Sequence, residues 1–269
     1  MPLFNKLYRN HKTLSVHGVN PYFGVEICNL PSIHRIKAFH IEKLKSLVLK
    51  YGLVILRGNR HWSESEQVEL TKRLGKLDAP TIYSSINPSD PSILKKWPNV
   101  KQSGLQWHSD RSYHKKPSYL SIFQMIETPS SGNRTSFLSL IRVYDNLPEQ
   151  IKRKWANYKT IYAFEKVVHP LFWVHPFTGV KTLYFDFRFA SEIVDPCNSE
   201  VHLEVKDINK VMQIIAQAFA EEKAKYHHIW QKGDLLIVDN YSVAHKTNIV
   251  SENGESKVLI RTTTEGIYF

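Results

Sequence analysis

From residue 118 onward the chain runs through short β-prone segments, each closed by turn residues: "SYLSIFQMIE", "TSFLSL", "IYAFEKVVH", "TLYFDFRFA", "DLLIVDN" and "KVLIRTTTEGIYF". Runs rich in Val, Ile, Thr and aromatic residues, spaced this closely, pair as antiparallel strands and close into a sandwich or barrel. Two segments with helical periodicity, "LIRVYDNLPEQIKRKW" and "KDINKVMQIIAQAFAEEKAKY", interrupt the series. Many strands with few helices predict a mainly β fold, a sandwich or jelly roll with helices packed outside.

The first hundred residues extend this pattern. "LSVHGVNPYFGVEICN" holds short β-rich stretches broken by Gly and Asn-Pro, which predicts strands joined by tight turns. Ile41, Leu44, Leu47 and Val48 lie at helical spacing, and Gly52 follows as the C-cap. "LVILRG" has the length and continuous apolarity of a buried strand, and Ser63 with Glu66 forms capping-box spacing ahead of a second helix. Residues 80–103 are rich in Pro, Ser and Asn without a sustained period, which predicts a loop that shapes specificity. No linker or fixed-period repeat divides the 269 residues, so one domain over 1–269 is expected.

Thirty-six Lys and Arg against 25 Asp and Glu give a formal charge of +11, which suits an anionic partner. The charge is scattered, however, and clusters such as "KLKSLVLK" and "IKRKW" read as solvated faces of amphipathic helices. No RNA-binding signature or long basic run is present, so no nucleic-acid partner is expected. Cys28 and Cys197 stand far apart and away from any metal or redox spacing; both are expected buried and free. With no apolar stretch of signal-peptide or membrane-spanning length, a soluble cytoplasmic protein without membrane contact is expected.

Chemistry enters with "GLQWHSDRSYH". In an extended chain, side chains two apart share a face, so His108 and Asp110 can converge on one point. A third ligand is available in "GDLLIVDNYSVAHKTN", where His245 ends an apolar strand that a jelly roll would bring across to the first pair. Two imidazoles and one carboxylate on one face of an octahedral ion leave the other positions open, the arrangement of non-haem Fe(II) oxygenases. A hydrogen-bonded turn and an ordinary half-buried histidine would carry the same residues. Arg261, sixteen positions beyond His245, adds a guanidinium able to pair with the distal carboxylate of a diacid, or equally with Glu255 or Glu265.

With these residues assembled, the chain resembles the TauD/TfdA family of Fe(II)- and 2-oxoglutarate-dependent dioxygenases. "YGLVILRGN" is similar to its early strand, "LQWHSDRSY" to its HxD segment, and "ETPSSGNRTSFLSLIRVYDNLPEQIK" to its run of Pro, Gly, Thr and a helix. "VVHPLFWVHPFTGVKTLYF" resembles its His-Pro, His-Pro, Thr-Gly signature, and "HIWQKGDLLIVDNYSVAHKTN" its distal-His segment. The resemblance implies a double-stranded β-helix, with His108, Asp110 and His245 binding Fe(II). It also implies that Thr135 and Arg261 hold the 2-oxoglutarate carboxylate remote from the metal, and that O2 is consumed. His169 and His175, each before a Pro, are assigned to architecture. The family likeness also allows a homo-oligomer.

The substrate side is thinner. Asp110 argues against halogenation, since halogenating relatives replace this carboxylate with a small residue. Sulfonate-oxidising members carry a His where this chain offers Tyr83, which makes taurine a doubtful substrate. Tyr83, Arg111 and Arg188 are the candidate substrate-binding residues, and Arg suits carboxylate recognition. "RTSF" resembles the branch that tailors amino-acid-derived isonitriles in secondary metabolism, where desaturation is the reaction. A small, carboxylate-bearing substrate, hydroxylated or desaturated, is therefore expected. The alternatives are a nucleic-acid-directed 2-oxoglutarate dioxygenase and a non-catalytic jelly-roll binding protein.

Overall fold

The computed structural model describes residues 15–28, 30–57, 62–78, 83–86, 106–128, 134–163, 166–196, 205–247 and 257–267. Its larger sheet has seven strands: β1 (Ser15–Gly18), β2 (Val25–Cys28), β3 (Leu53–Leu56), β4 (Tyr83–Ile86), β5 (Leu120–Glu127), β13 (Leu235–Asp239) and β15 (Lys257–Thr263). They lie in the spatial order β1-β2-β3-β13-β5-β15-β4, antiparallel except for β2 beside β3. A smaller sheet places β6 (Arg134–Ser139) between β12 (Lys225–Ile229) and β14 (Val243–Thr247). Two minor sheets complete the strands: β7 (Lys159–Tyr162) between β8 (Val168–Pro170) and β11 (Ala190–Val194), and the pair β9 (Phe172–Val174) and β10 (Lys181–Leu183).

Strand periodicity sorts the large sheet's residues onto two faces. In β13, Leu235 and Ile237 join the cluster under the helices, while Leu236 and Val238 face the small sheet. β3 does the same, with Val54 and Leu56 on the helix side and Leu53 and Ile55 inside. Continuous apolar runs such as "LVIL" and "LLIV" are therefore required, because both faces of the sheet are covered. Helix α1 (Ala38–Tyr51) and helix α2 (Glu64–Leu74) cover the outer face. The inner face meets the small sheet across Phe123, Met125, Phe137 and Val243. This is the expected jelly roll with outer helices.

Local signals hold at both helices. Ile41, Leu44, Leu47 and Val48 are all buried, and Gly52 caps α1 at φ 71°. The Ser63 hydroxyl accepts the Glu66 amide at 3.2 Å, and the Glu66 carboxylate accepts the Ser63 amide at 2.8 Å. Other expectations need correction. "LIRVYDNLPEQIKRKW" is two helices, α3 (Leu140–Asp145) and α4 (Glu149–Lys154), because Pro148 lacks an N–H and biases Leu147 away from helical geometry. Helix α5 (Val205–Ala220) stops before "AKY", whose last two residues open β12. "TLYFDFRFA" is extended only through β10; at Asp186 the chain turns back, and the Asp186 carboxylate accepts the Arg188 amide at 2.9 Å. Within 80–103, residues 83–86 are β4 rather than loop, paired with β15; the remainder lies outside the described residues. Cys28 is free but only half-buried, and Cys197 lies outside the described residues. Among the described residues no helix is long and apolar enough to cross a membrane.

Gly52 generates a prediction. A Cβ there would stand 2.7 Å from the Val243 side chain, and its φ of 71° disfavours any L side chain. Gly52→Ala is expected to cost about 1–3 kcal/mol of stability, read as a lower urea midpoint at unchanged m-value.

Candidate metal centre

β14 is an edge strand of the small sheet, and its open side at His245 is met by the chain at His108. The two residues form an isolated antiparallel bridge, with the His108 amide donating to the His245 carbonyl at 3.0 Å and the reverse bond at 2.7 Å. Their rings follow, with centroids 4.2 Å apart. Asp110, two residues on, brings its carboxylate to the same place, and one candidate ligand atom from each of the three residues lies within 4.8 Å of the others. The His245 Nε2 to Asp110 Oδ1 distance is 3.9 Å.

The Asp110 side chain is held by a closed ring of hydrogen bonds. The Asp110 amide donates to Asn240 Oδ1 at 3.3 Å, Asn240 Nδ2 donates to Ser121 Oγ at 2.8 Å, and Ser121 Oγ donates to Asp110 Oδ2 at 2.7 Å. Oδ2 is thus committed, while Oδ1, on the side of His245, is met by Arg261 Nη1. His108 Nδ1 lies 2.7 Å from the Gln106 carbonyl, which can only accept, so this nitrogen carries the proton and Nε2 keeps its lone pair. Among the described residues His245 Nδ1 is buried without a hydrogen-bond partner. A buried imidazole in that condition, beside a carboxylate and a second imidazole with a free lone pair, fits a divalent metal of intermediate softness such as Fe(II).

Electrostatics agree with this donor chemistry. Burial pushes His108 well below the usual imidazole range, with Arg188 and His245 adding to the effect. Burial likewise lowers His245 to about 4, against the opposing pull of Asp110. Burial pushes the Asp110 carboxyl up, but Arg261 and the two imidazoles outweigh it and leave the group well below the usual carboxylate range. Two neutral imidazoles and one ionised carboxylate are the protonation states that metal binding requires.

The other candidates divide. Arg261, on β15 opposite Phe123, touches Asp110 Oδ1 with Nη1. Thr135 is buried on β6, two residues from Phe137, the partner of His245, which sets it roughly 6.5 Å further along the strand. Its hydroxyl accepts the Trp230 indole N–H at 2.8 Å. Arg188 donates from Nη2 to the carbonyl of Ser109, the residue between two of the triad, at 3.3 Å. Arg111 has a left-handed backbone, φ 55°, and pairs with Asp78 at 3.2 Å. It lines a cleft of about 410 Å³ with Lys76, His114 and Lys115, and none of the triad lines that cleft. β4 carries Tyr83 in register with Ile260, but its side chain is outside the described residues. Ser121, Asn240, Gln106 and Asp186 escaped the sequence reading; Asn240, five residues before His245 in the quoted segment, was the one with any positional signal.

His169 and His175 make structural bonds. His169 Nε2 meets the His114 carbonyl at 2.9 Å. His175 Nε2 meets Asp239 Oδ2 at 2.7 Å, and its Nδ1 accepts the amides of Phe177 and Thr178 at 3.2 and 3.3 Å.

The profile described as "Taurine catabolism dioxygenase TauD, TfdA family" matches residues 15–263. A 3-((Z)-2-isocyanoethenyl)-1H-indole synthase of Fischerella ambigua is 25% identical over 256 residues, covering 90% of this chain and 92% of the relative. An (S)-phenoxypropionate/alpha-ketoglutarate-dioxygenase of Sphingobium herbicidovorans is 24% identical, covering 76% and 78%. Among solved structures, a taurine dioxygenase from Burkholderia xenovorans superposes with a TM-score of 0.80 at 19% identity, covering 94% of this chain and 91% of that one. AAD-2 in complex with Mn(II) and N-oxalylglycine gives 0.81 at 16% identity, covering 95% and 98%. These structural likenesses carry the fold.

Replacing His175 separates architecture from metal binding. Asp239 is 1% exposed, so His175→Ala leaves its Oδ2 without the imidazole donor, while Oδ1 keeps the Tyr241 amide at 2.9 Å, and is expected to cost about 1–3 kcal/mol. Chemical denaturation measures that loss, while calorimetric titration with Mn(II) should still give one ion per chain.

Proposed function

The chain belongs to the TauD, TfdA family of dioxygenases, and on that premise we propose that His108, Asp110 and His245 hold its Fe(II). It is an Fe(II)- and 2-oxoglutarate-dependent dioxygenase that consumes O2. The observation that carries the ligand assignment is the convergence of two buried imidazoles and one buried carboxylate, with ligand atoms within 4.8 Å. When bound, the iron supplies the oxidation, in which O2 and 2-oxoglutarate give succinate and CO2 and a C–H bond of a small substrate is attacked.

The chain's own residues bind and orient. The Asp110–Asn240–Ser121 ring fixes which carboxylate oxygen faces the metal, and the Gln106 carbonyl fixes the His108 tautomer. Thr135 and Arg261 are proposed to take the remote carboxylate of 2-oxoglutarate, Arg261 standing in contact with Asp110. Residues 1–269 are read as one domain serving this one site.

The substrate is proposed to be a small carboxylate-bearing molecule, hydroxylated or desaturated. An amino-acid-derived isonitrile of secondary metabolism is the specific candidate, supported by the relative named for an isocyanoethenyl indole and by the "RTSF" wording. The relatives reported above are named for small molecules, which favours this reading over a nucleic-acid substrate. Of the substrate-side candidates, Arg188 reaches the HxD loop, Arg111 is engaged with Asp78, and Tyr83 is retained by position on β4.

Anaerobic addition of Fe(II) and 2-oxoglutarate tests the assignment. The wild-type protein is expected to bind one Fe(II) and develop the weak visible charge-transfer band of the chelate. His108→Ala should bind no iron. Arg261→Ala should bind iron but need at least about tenfold more 2-oxoglutarate to form the band, the loss of one charged hydrogen-bonded pair. Absence of iron binding in the wild type refutes the metal site; a band indifferent to Arg261→Ala refutes the clamp alone.

A further inference from the structure

Arg188 has five N–H donors, and three of them are spent. Nε donates to Asp186 Oδ1 at 3.0 Å, and Nη2 donates both to Asp186 Oδ2 at 2.7 Å and to the Ser109 carbonyl at 3.3 Å. Nη1 makes no hydrogen bond among the described residues, and 12% of the side chain remains accessible.

Asp186 is the opposite case. It is 1% exposed, and its two oxygens together receive four donors: the Arg188 amide and Nε on Oδ1, and Arg188 Nη2 and the Ser112 hydroxyl on Oδ2. An ionised carboxylate offers about four acceptor sites, so Asp186 is saturated and has no capacity for a metal or a ligand. A buried ion pair is expensive to desolvate, and a purely structural one would use the donors on both sides. This pair uses all the acceptors and leaves two donors, both on one atom.

The surroundings point the same way. The Phe187 amide donates to the Trp107 carbonyl at 3.2 Å, so the 186–189 turn lies along the loop that carries His108 and Asp110. The Phe189 ring stands 5.0 Å from the guanidinium carbon, and the Tyr113 ring 4.6 Å from Phe189. The receptor edge is therefore set in an aromatic wall.

We propose that Asp186 and Ser112 are positioning residues that lock Arg188 as a one-edged receptor, and that its Nη1 seats the carboxylate of a substrate with an apolar, aromatic-sized body. The proposal rests on the dioxygenase reading above and narrows it, choosing Arg188 over Arg111 and Tyr83. Specificity follows from the geometry: a fixed guanidinium edge rewards an anionic oxygen, while a neutral isostere leaves the desolvated donors unpaired.

The test is calorimetric titration of the protein, loaded with Mn(II) and 2-oxoglutarate, with phenoxyacetate and with phenoxyacetamide. The wild type is expected to bind the acid at least about tenfold more tightly than the amide. Arg188→Leu should abolish the difference by weakening the acid and leaving the amide unchanged. Arg188→Lys should not restore it, since an ammonium cannot keep the fork on Asp186 and present a further aligned donor. Asp186→Asn sets an amide donor against the guanidinium and should bring the preference down toward that of Arg188→Leu. A wild type that does not distinguish acid from amide, including by binding neither, overturns the proposal, as does a preference that survives Arg188→Leu. A preference that survives Asp186→Asn removes Asp186 from its positioning role. If Arg188→Leu fails to fold, Arg188→Lys carries the same reading. Unchanged Mn(II) and 2-oxoglutarate binding in each variant separates failure here from failure of the iron site.

Discussion

Two backbone hydrogen bonds, between His108 and His245 in both directions, are the contact on which the rest of the site depends. They close the exposed edge of the small sheet and in doing so bring together residues 137 positions apart in the chain. Edge strands must be paired, covered or otherwise blunted, and here the covering segment is the one that carries the chemistry. Asp110 follows two residues beyond the bridge, where the chain enters a turn, and the bridge thereby brings all three side chains to one place.

What the bridge collects, buried polar bonds then orient. Asp110, Ser121 and Asn240 are each almost fully buried, and each supplies what its neighbour lacks. A network of this kind tolerates no half-satisfied member, because an unpaired buried group costs about as much as its bond would return. Rigidity at the ligand thus comes from a constraint on folding. Ser121 sits on β5 and Asn240 just after β13, so the large sheet sets the angle of a carboxylate whose backbone belongs to a loop.

Positive charge is arranged around the same point. Arg261 approaches from β15 and Arg188 from the turn after β10, the first on Asp110 and the second on Asp186 and the Ser109 carbonyl. Both guanidiniums favour the neutral form of His245, reinforcing what burial alone imposes. The formal +11 of the chain is diffuse in the sequence; in the cleft of Lys76, Arg111, His114 and Lys115, away from the triad, it is answered by Asp78 and Glu265, which pair with Arg111 and Lys76.

Much of the scaffold was legible because it is local. The spacing of Ile41, Leu44, Leu47 and Val48, the Gly52 cap, the Ser63–Glu66 box and the apolar runs of β3 and β13 depend on neighbours a few residues away, and all are found as read. Two misreadings were local conflicts, Pro148 splitting a helix and Asp186 turning back to Arg188 inside an apparent strand, while β4 was read as loop because its pairing partner is the distant β15. The HxD pair, the distal His and Arg261 were visible as residue types suited to iron and a diacid. Their convergence, the Ser121–Asn240 ring and the saturation of Asp186 were not, because hydrogen-bond partners up to 151 residues apart leave no periodic trace in a chain. The sequence by itself determined which groups could do chemistry and on which elements they ride. Only the tertiary structure decided which oxygen, nitrogen and guanidinium edge each of them presents, since those orientations are set by burial and by bonds between strands that meet only in the folded protein.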